Sequence, residues 1–249
     1  MLSQEEQWLL EEKYGSNKSE AFIAACAELS AGVPLAYLIG HIPFIDCKIW
    51  LDSRPLIPRP ETEYWTQLAI EEIKKYSSDN KTPLQILDLC AGSGCVGIAV
   101  VKSIPDAKLD FIELDKTHLP TIEKNCLENN LDKNNFKIMQ GDLFSTLTNE
   151  TYDFILSNPP YIDPEVDRAE PSVKDNEPNI ALYGGNKGLE LITKIIDSAP
   201  QHLNKNGQLW LEHEPEQVAD IKKLAKHNFT VHTHNDQYDI PRFTQLVIQ

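Results

Sequence analysis

The stretch ILDLCAGSGCVG, residues 86–97, joins two periodicities that one element cannot hold. Ile86, Leu87 and Leu89 make the short apolar run of a buried strand, and residues 96–101 open a second run suited to a helix. Between them, Gly92 and Gly94 permit a tight turn and close approach of a ligand to the main chain. The helix that follows brings partial positive charge to the same place. Strand, glycine turn and helix in that order fit the opening unit of a nucleotide-binding parallel sheet. Two alternating glycines alone equally suit a structural corner, so the surrounding features have to decide.

Working outward, KLDFIE (108–113), NFKIMQ (135–140), YDFILS (152–157) and GQLWLEH (207–213) read as further strands, mostly separated by helix-length segments. FTVHTH (229–234) and RFTQLVIQ (242–249) lie too close for a crossover helix and predict an antiparallel hairpin at one edge. The expected fold is therefore α/β and Rossmann-like, with seven strands and helices on both faces. Upstream, residues 2–13 and 18–30 have helical spacing, with Trp8, Leu9, Phe22 and Ile23 available for one apolar face. Gly32 and Pro34 end the second helix. AYLIGHIPF (36–44) and CKIWLD (47–52) read as extended, with a hairpin around Ile45 and Asp46. Pro58 and Pro60 stiffen a connector before a helix that begins near Glu61, and Ser78 to Pro83 reads as a polar linker. The organisation expected is a helical region at 1–33, a hairpin linker at 34–57 and a catalytic domain at 58–249.

A chain of 249 residues with 41% hydrophobic content suits one medium domain with an appendage. No apolar run approaches the roughly 18 to 20 residues of a membrane span. The start MLSQEEQWLLEEKYG lacks the basic-then-apolar order of a secretory signal, so the cytoplasm is the expected location. Cysteines 26, 47, 90, 95 and 126 are odd in number and lack metal-ligand spacing, which argues against a disulfide framework and a zinc site. A formal charge of -15, from 38 acidic and 23 basic residues, opposes non-specific attachment to nucleic acid and favours a basic partner surface.

Acidic residues recur where strands end. Glu113 closes the second core strand, where a carboxylate can accept both hydroxyl hydrogens of a ribose; Asp115 ranks second for that role. Asp142, just beyond the third strand, either accepts from an adenine amino group or caps a turn. Asp88 beside the glycine turn would repel a pyrophosphate yet suit an ammonium group. An adenosine that carries an amino acid, S-adenosyl-L-methionine, is thus expected ahead of NAD. In SNPPYI (157–162) the prolines remove donors and fix φ, leaving carbonyls outward from a stiff corner: an acceptor clamp for an NH₂ group. Tyr161 would either wall that clamp or pack against the sheet. His213 follows a late strand and is assigned no catalytic role, and His232 and His234 share one face of an edge strand without a metal-binding pattern. Trp50, Trp65 and Trp210 read as core or junction residues.

LIPRPETE, DLCAGSG, QGDLF, SNPPYI and NEPNIALYGG together resemble the release factor glutamine methyltransferases, the PrmC or HemK family, from about Gly32 to the C-terminus. Asn-Pro-Pro-Tyr alone is shared with adenine-N6 methyltransferases; IPRPETE with EPNIALYGG is far more specific. The resemblance implies methyl transfer from S-adenosyl-L-methionine to the side-chain amide of the glutamine in the Gly-Gly-Gln loop of class I peptide chain release factors. It implies a catalytic corner of Asn158, Pro159, Pro160 and Tyr161, with Asn158 and the Pro159 carbonyl accepting the amide hydrogens. Cofactor contacts implied are Asp88, Ala91, Gly92, Gly94, Glu113, Asp142, Leu143 and Asn158. Arg59, Glu63 and Glu177, with Pro178, would organise the substrate side before Gly184 and Gly185. Two departures stand out. Cys90 replaces the first glycine of the family's turn, which matters if that position needs positive φ. The N-terminal helical region is also shorter than the family's, which bears on docking more than on chemistry.

No metal is needed for such a transfer, and no strong base is evident near the corner. A monomer is the default expectation. The competing readings are adenine-N6 methylation of nucleic acid, disfavoured by the net charge, and a catalytically inactive S-adenosyl-L-methionine-binding protein associated with translation, disfavoured by the intact Asn-Pro-Pro-Tyr.

Overall fold

The computed structural model describes residues 2–79 and 83–249. Two helices, α1 (Gln4–Tyr14) and α2 (Glu20–Ser30), come first, each capped by a serine: the Ser3 hydroxyl accepts from Glu6 N–H and the Ser19 hydroxyl from Phe22 N–H. They bury Leu9, Leu10, Phe22 and Ala25 against Leu38 in a small core of their own. The expected apolar face is corrected here: Trp8 and Ile23 are 50% and 63% exposed, because neighbours on a helix diverge by about 100° and Leu9 and Phe22 take the inner side.

Residues 36–44 are not extended throughout. A short helix, α3 (Leu35–Ile39), starts after Pro34 and stops at Gly40, whose φ of +97° ends it in a left-handed cap. Strands β1 (His41–Phe44) and β2 (Cys47–Trp50) then pair antiparallel about Ile45 and Asp46. The long α4 (Pro60–Asp79) includes Ser78 and Asp79, so the expected polar linker is shorter at its start; residues 80–82 lie outside the described residues.

The catalytic-size unit follows as β3 (Gln85–Leu89), α5 (Cys95–Ser103), β4 (Lys108–Glu113), α6 (Leu119–Glu128), β5 (Phe136–Gln140) and β6 (Tyr152–Ser157). After it come α7 (Pro171–Asn176), α8 (Glu190–Ser198), β7 (Leu203–Glu212), α9 (Val218–Ala225), β8 (Phe229–Asn235) and β9 (Pro241–Ile248). The seven strands run in the order β5-β4-β3-β6-β7-β9-β8, parallel up to β7, with β9 antiparallel to both β7 and β8. The order reverses between β3 and β6, which opens a crevice at their carboxyl ends.

Alternation along the strands sorts the core into two layers. Ile86, Leu109, Phe111, Phe154, Leu156 and Trp210 pack with α4, α5 and α6; Leu87, Ile112, Ile155, Leu209 and Leu211 pack with α8 and α9. The β1–β2 hairpin joins the first layer. Asn125 of α6 and Asn129 just after it clasp its main chain at Trp50 and Lys48, with Asn125 Oδ1 accepting from Trp50 N–H at 2.7 Å. Among the described residues no helix is long and apolar enough to cross a membrane.

Candidate active site

The turn after β3 is built by main-chain geometry. Cys90, Gly92 and Gly94 all take positive φ, at 63°, 56° and 78°, and the N–H groups of Cys90 and Ala91 donate to Ile112 O on the neighbouring strand. Cys90 thus occupies a left-handed conformation that costs an L-residue roughly 1–2 kcal/mol and that glycine adopts freely. Asp88 faces the α5 layer, where its Oδ2 accepts from Gly97 N–H at 2.8 Å. A side chain at Gly97 would press on the Phe111 ring at 2.9 Å and on Asp88. Asp88 is 2% exposed, and burial pushes its carboxyl up to about 7.

A cavity of about 460 Å³ opens at the crevice. Gly92 and Glu113 form one wall, Asp142 and Leu143 another, Asn158 and Pro160 a third, with Gly184 and Gly185 closing it. Asp88, Ala91 and Gly94, expected at the ligand, stand behind this wall: the pleat turns Asp88 into the helix layer, so it ties strand to helix. Glu113 is held from both sides, Oε2 accepting from Gly92 N–H and Oε1 from Asp115 N–H, each at 2.8 Å. Asp115 turns its Oδ1 to Thr117, accepting from N–H at 2.8 Å and from the hydroxyl at 2.7 Å, and these bonds lower its pKa. Asp142 both lines the cavity and opens a tight turn at 143–146, where its N–H donates to Ser145 Oγ at 3.1 Å.

The Asn158 corner is built from side chains. Ser157 ends β6 and donates to Leu89 O at 2.7 Å. Glu212, at the end of β7 and 1% exposed, accepts from three donors: Thr62 Oγ1 at 2.7 Å, Trp65 Nε1 at 2.5 Å and Tyr161 Oη at 2.8 Å. Thr62 has one hydroxyl hydrogen and gives it to Glu212, so toward Asn158, 3.1 Å away, it can only accept. That orients the amide: Asn158 Nδ2 faces Thr62, and Oδ1 accepts no bond among the described residues. Burial raises the Glu212 carboxyl despite its three donors, and burial together with Glu212 holds Tyr161 protonated far above its ordinary range.

A second cavity, of about 200 Å³, is lined by Arg59, Pro159, Tyr161 and Val173 and shares Leu56, Asn158 and Ala181 with the first. The two meet at Asn158. Its roof is tied by Glu177, buried in its side chain, which accepts from Arg59 at 2.6 Å and from Ile57 N–H at 3.0 Å. A Cβ on Gly184 would lie 2.5 Å from Pro160 O, so the closing loop reaches the corner only without a side chain there. Glu63, expected on the substrate side, is placed elsewhere. It accepts from Ile45 N–H and fastens the hairpin turn, because it points off α4 on the side away from Thr62.

Thr62, Trp65 and Glu212 are the residues that the sequence reading missed. The available signal was Glu212 in LEHEP, an acid closing an apolar strand as Glu113 does. His213 is fully buried between Thr244 Oγ1 at 2.8 Å and Glu214 O at 2.9 Å, and burial depresses it to about 4. His234 lies in a ring stack with Trp210 and Phe243. Among the described residues no group of three or more His, Cys, Asp or Glu could hold a metal ion.

Residues 64–172 match the family model described as the methyltransferase small domain. The chain is 37% identical over 199 residues to the release factor glutamine methyltransferase of Rhodopirellula baltica, covering 79% of this chain and 67% of that one. It is 31% identical over 242 residues to the release factor glutamine methyltransferase of Lactococcus lactis, covering 96% and 86%. Among solved structures, a methyltransferase from Pyrococcus furiosus superposes with a TM-score of 0.56 at 16% identity, covering 90% of this chain and 96% of that one, a likeness of fold.

Proposed function

The chain belongs to the family of release factor glutamine methyltransferases, and we propose that the meeting point of the two cavities at Asn158 is where it carries out that reaction. It is a protein-(glutamine-N5) methyltransferase: a methyl group passes from S-adenosyl-L-methionine to the side-chain amide nitrogen of the glutamine in the Gly-Gly-Gln motif of class I release factors. The observation that carries the assignment of the site is Asn158, which lines both cavities and has its Nδ2 committed to Thr62, leaving Oδ1 for a donor.

The larger cavity suits the cofactor. Its volume matches a nucleoside with an amino-acid tail, it offers a pinned carboxylate at Glu113, and Leu114, Leu143 and Ile180 provide apolar surface for a base. When bound, the cofactor supplies an activated methyl group on a positively charged sulfur. Glu113 and Gly92 would hold its ribose end, and Asp142 and Leu143 its base.

The acceptor amide enters from the smaller cavity. An amide nitrogen is a poor nucleophile because its lone pair is delocalised into the carbonyl. Asn158 Oδ1 and the Pro159 carbonyl, which accepts no other bond among the described residues, take its two hydrogens. Their pull aligns the nitrogen with the methyl group and stabilises the positive charge that develops on it. Glu212 keeps Asn158 in register through Thr62 and holds Tyr161 as a fixed wall. The surplus proton leaves the nitrogen through the solvent-facing smaller cavity, which requires no strong base. Arg59 and Glu177 lock the roof over this path.

Docking is assigned to the helical region 1–33, with 34–57 as linker and 58–249 as the catalytic unit; the excess of acidic residues suits a basic partner. The partner places the reaction in the cytoplasm, and a single copy carries every residue named. The test is transfer of labelled methyl from S-adenosyl-L-methionine to recombinant class I release factors, beside Gly-Gly-Ala variants and an adenine-containing DNA. Label that disappears with the glutamine supports the assignment. Label on DNA would overturn it.

A further inference from the structure

Of the side chains around the larger cavity, His118 has no part in the reaction as described. We infer that His118 contacts the bound nucleoside, donating its Nε2 hydrogen to a ribose hydroxyl, and that Ser53 of the connector holds the ring through Nδ1. The inference rests on the reading of the cavity as a cofactor site.

His118 stands directly before α6, is 5% exposed, and lines the cavity beside Glu113 and Leu114. Its Nδ1 lies 2.8 Å from Ser53 Oγ, and Thr121 Oγ1 donates to the same hydroxyl at 2.8 Å. With Thr121 donating to Ser53, the Ser53 hydrogen is available to Nδ1, and in the arrangement inferred Nδ1 accepts and the ring hydrogen sits on Nε2. Nothing among the described residues takes that hydrogen. The nearest acceptor, Asp115 Oδ2, is 4.0 Å away, beyond hydrogen-bond reach. Nor is Nε2 sealed off: among the described residues the fully enclosed side-chain atoms without a partner are Trp50 Nε1 and His234 Nε2. A donor on a buried ring with an open edge thus faces the cavity.

The gap has the polarity of a hydroxyl. A ribose oxygen set between Nε2 and Asp115 Oδ2 can accept from the first at an ordinary hydrogen-bond length and give its one hydrogen to Asp115, leaving the hydrogen of the other hydroxyl to Glu113. Asp115 Oδ1 is already committed to Thr117, which turns Oδ2 toward His118. Ser53 lies just beyond β2 and Thr121 in α6, so hairpin, helix and ligand share one hydrogen-bond chain.

Calorimetric titration with S-adenosylhomocysteine tests this on the full chain. His118→Phe is expected to weaken binding about tenfold, the usual scale for a lost bond to a buried group. His118→Gln, whose amide can donate to the same oxygen, should recover most of the loss, as a purely space-filling role would not. Nitrogen-15 NMR of the ring in the unaltered protein should report the Nε2–H tautomer, with Nε2 shifting as ligand saturates and Ser53→Ala mixing the tautomers. Equal affinity for wild type and His118→Phe, or an Nε2 signal indifferent to ligand, would overturn the inference and leave the cofactor reading standing. Absence of binding by the wild type would overturn both. If His118→Phe does not fold, the wild-type NMR response decides.

Discussion

The carboxylates on the two sides of the site are used in opposite ways. On the cofactor side, Asp88 and Glu113 accept from main-chain N–H groups 9 and 21 positions away, at Gly97 and Gly92. On the acceptor side, Glu212 accepts from three side chains brought from 51, 147 and 150 positions away, Tyr161, Trp65 and Thr62. A main-chain donor survives most substitutions, because any residue other than proline carries it. A side-chain donor does not. The cofactor side is thus expected to tolerate a residue such as Cys90 at positive φ, whereas the acceptor side is expected to depend on the identity of each partner.

The sharpest way to break this contrast is to remove one residue from each side. Asn158→Ala should lower kcat by about 10²–10³ and leave the Kd for S-adenosylhomocysteine within about twofold, whereas Glu113→Ala should weaken that Kd at least tenfold. Equal losses of binding in both would dissolve the division between sides. Glu212→Gln comes next. It sets an NH₂ group against one of the hydroxyl or indole donors, and a fall of about 10–100-fold in kcat with about 2–3 kcal/mol of lost stability is expected from rate assays and urea unfolding. Unchanged kcat would leave Glu212 a purely structural residue.

Asp88 separates packing from catalysis by pH. Its folded value of about 7 stands above the ordinary 3.8, so the folded protein holds the proton more tightly than the unfolded chain. That contribution to stability is complete below pH 3.8 and is lost as the pH rises through 7. Asp88→Asn should flatten the slope of unfolding free energy over this window, and an unaltered slope would assign it to another group. The smallest effect is expected from Cys90→Gly. Relief of the left-handed strain opposes the greater freedom of glycine in the unfolded chain, so stability should move by no more than about 1 kcal/mol. Cofactor affinity should stay within about threefold by calorimetry; a sharp loss without unfolding would reveal a turn adapted to cysteine.

The same division explains what could be read in advance. The seven strands and the terminal hairpin follow from local apolar runs and short connections, and each observed strand overlaps its predicted segment. The exceptions are local too: α3 lies in a five-residue stretch too short to show a helical period, between Pro34 and Gly40. Glu113 was visible as an acid at a strand end and Asn158 beside two prolines, whereas Glu177 entered only through the family resemblance. Thr62 and Trp65 were not visible, because helical periodicity reports which face is buried and is silent about a partner on a distant strand. Glu63 was misplaced for the same reason: it shares a motif with Thr62, yet successive α4 positions point to opposite business, the hairpin for one and the corner for the other.

The single hydrogen of Thr62 gives the acceptor cavity a sign. As built, Asn158 presents lone pairs, so an incoming amide is greeted through its NH₂ and a carboxylate is turned away. Valine in place of Thr62 would keep the shape and drop the constraint, and the Asn158 amide could then rotate by half a turn and present hydrogens instead. Such a protein would lose its preference for a Gly-Gly-Gln over a Gly-Gly-Glu peptide in competition binding, and discrimination between two side chains of nearly equal size would prove to be written in one hydroxyl that touches neither.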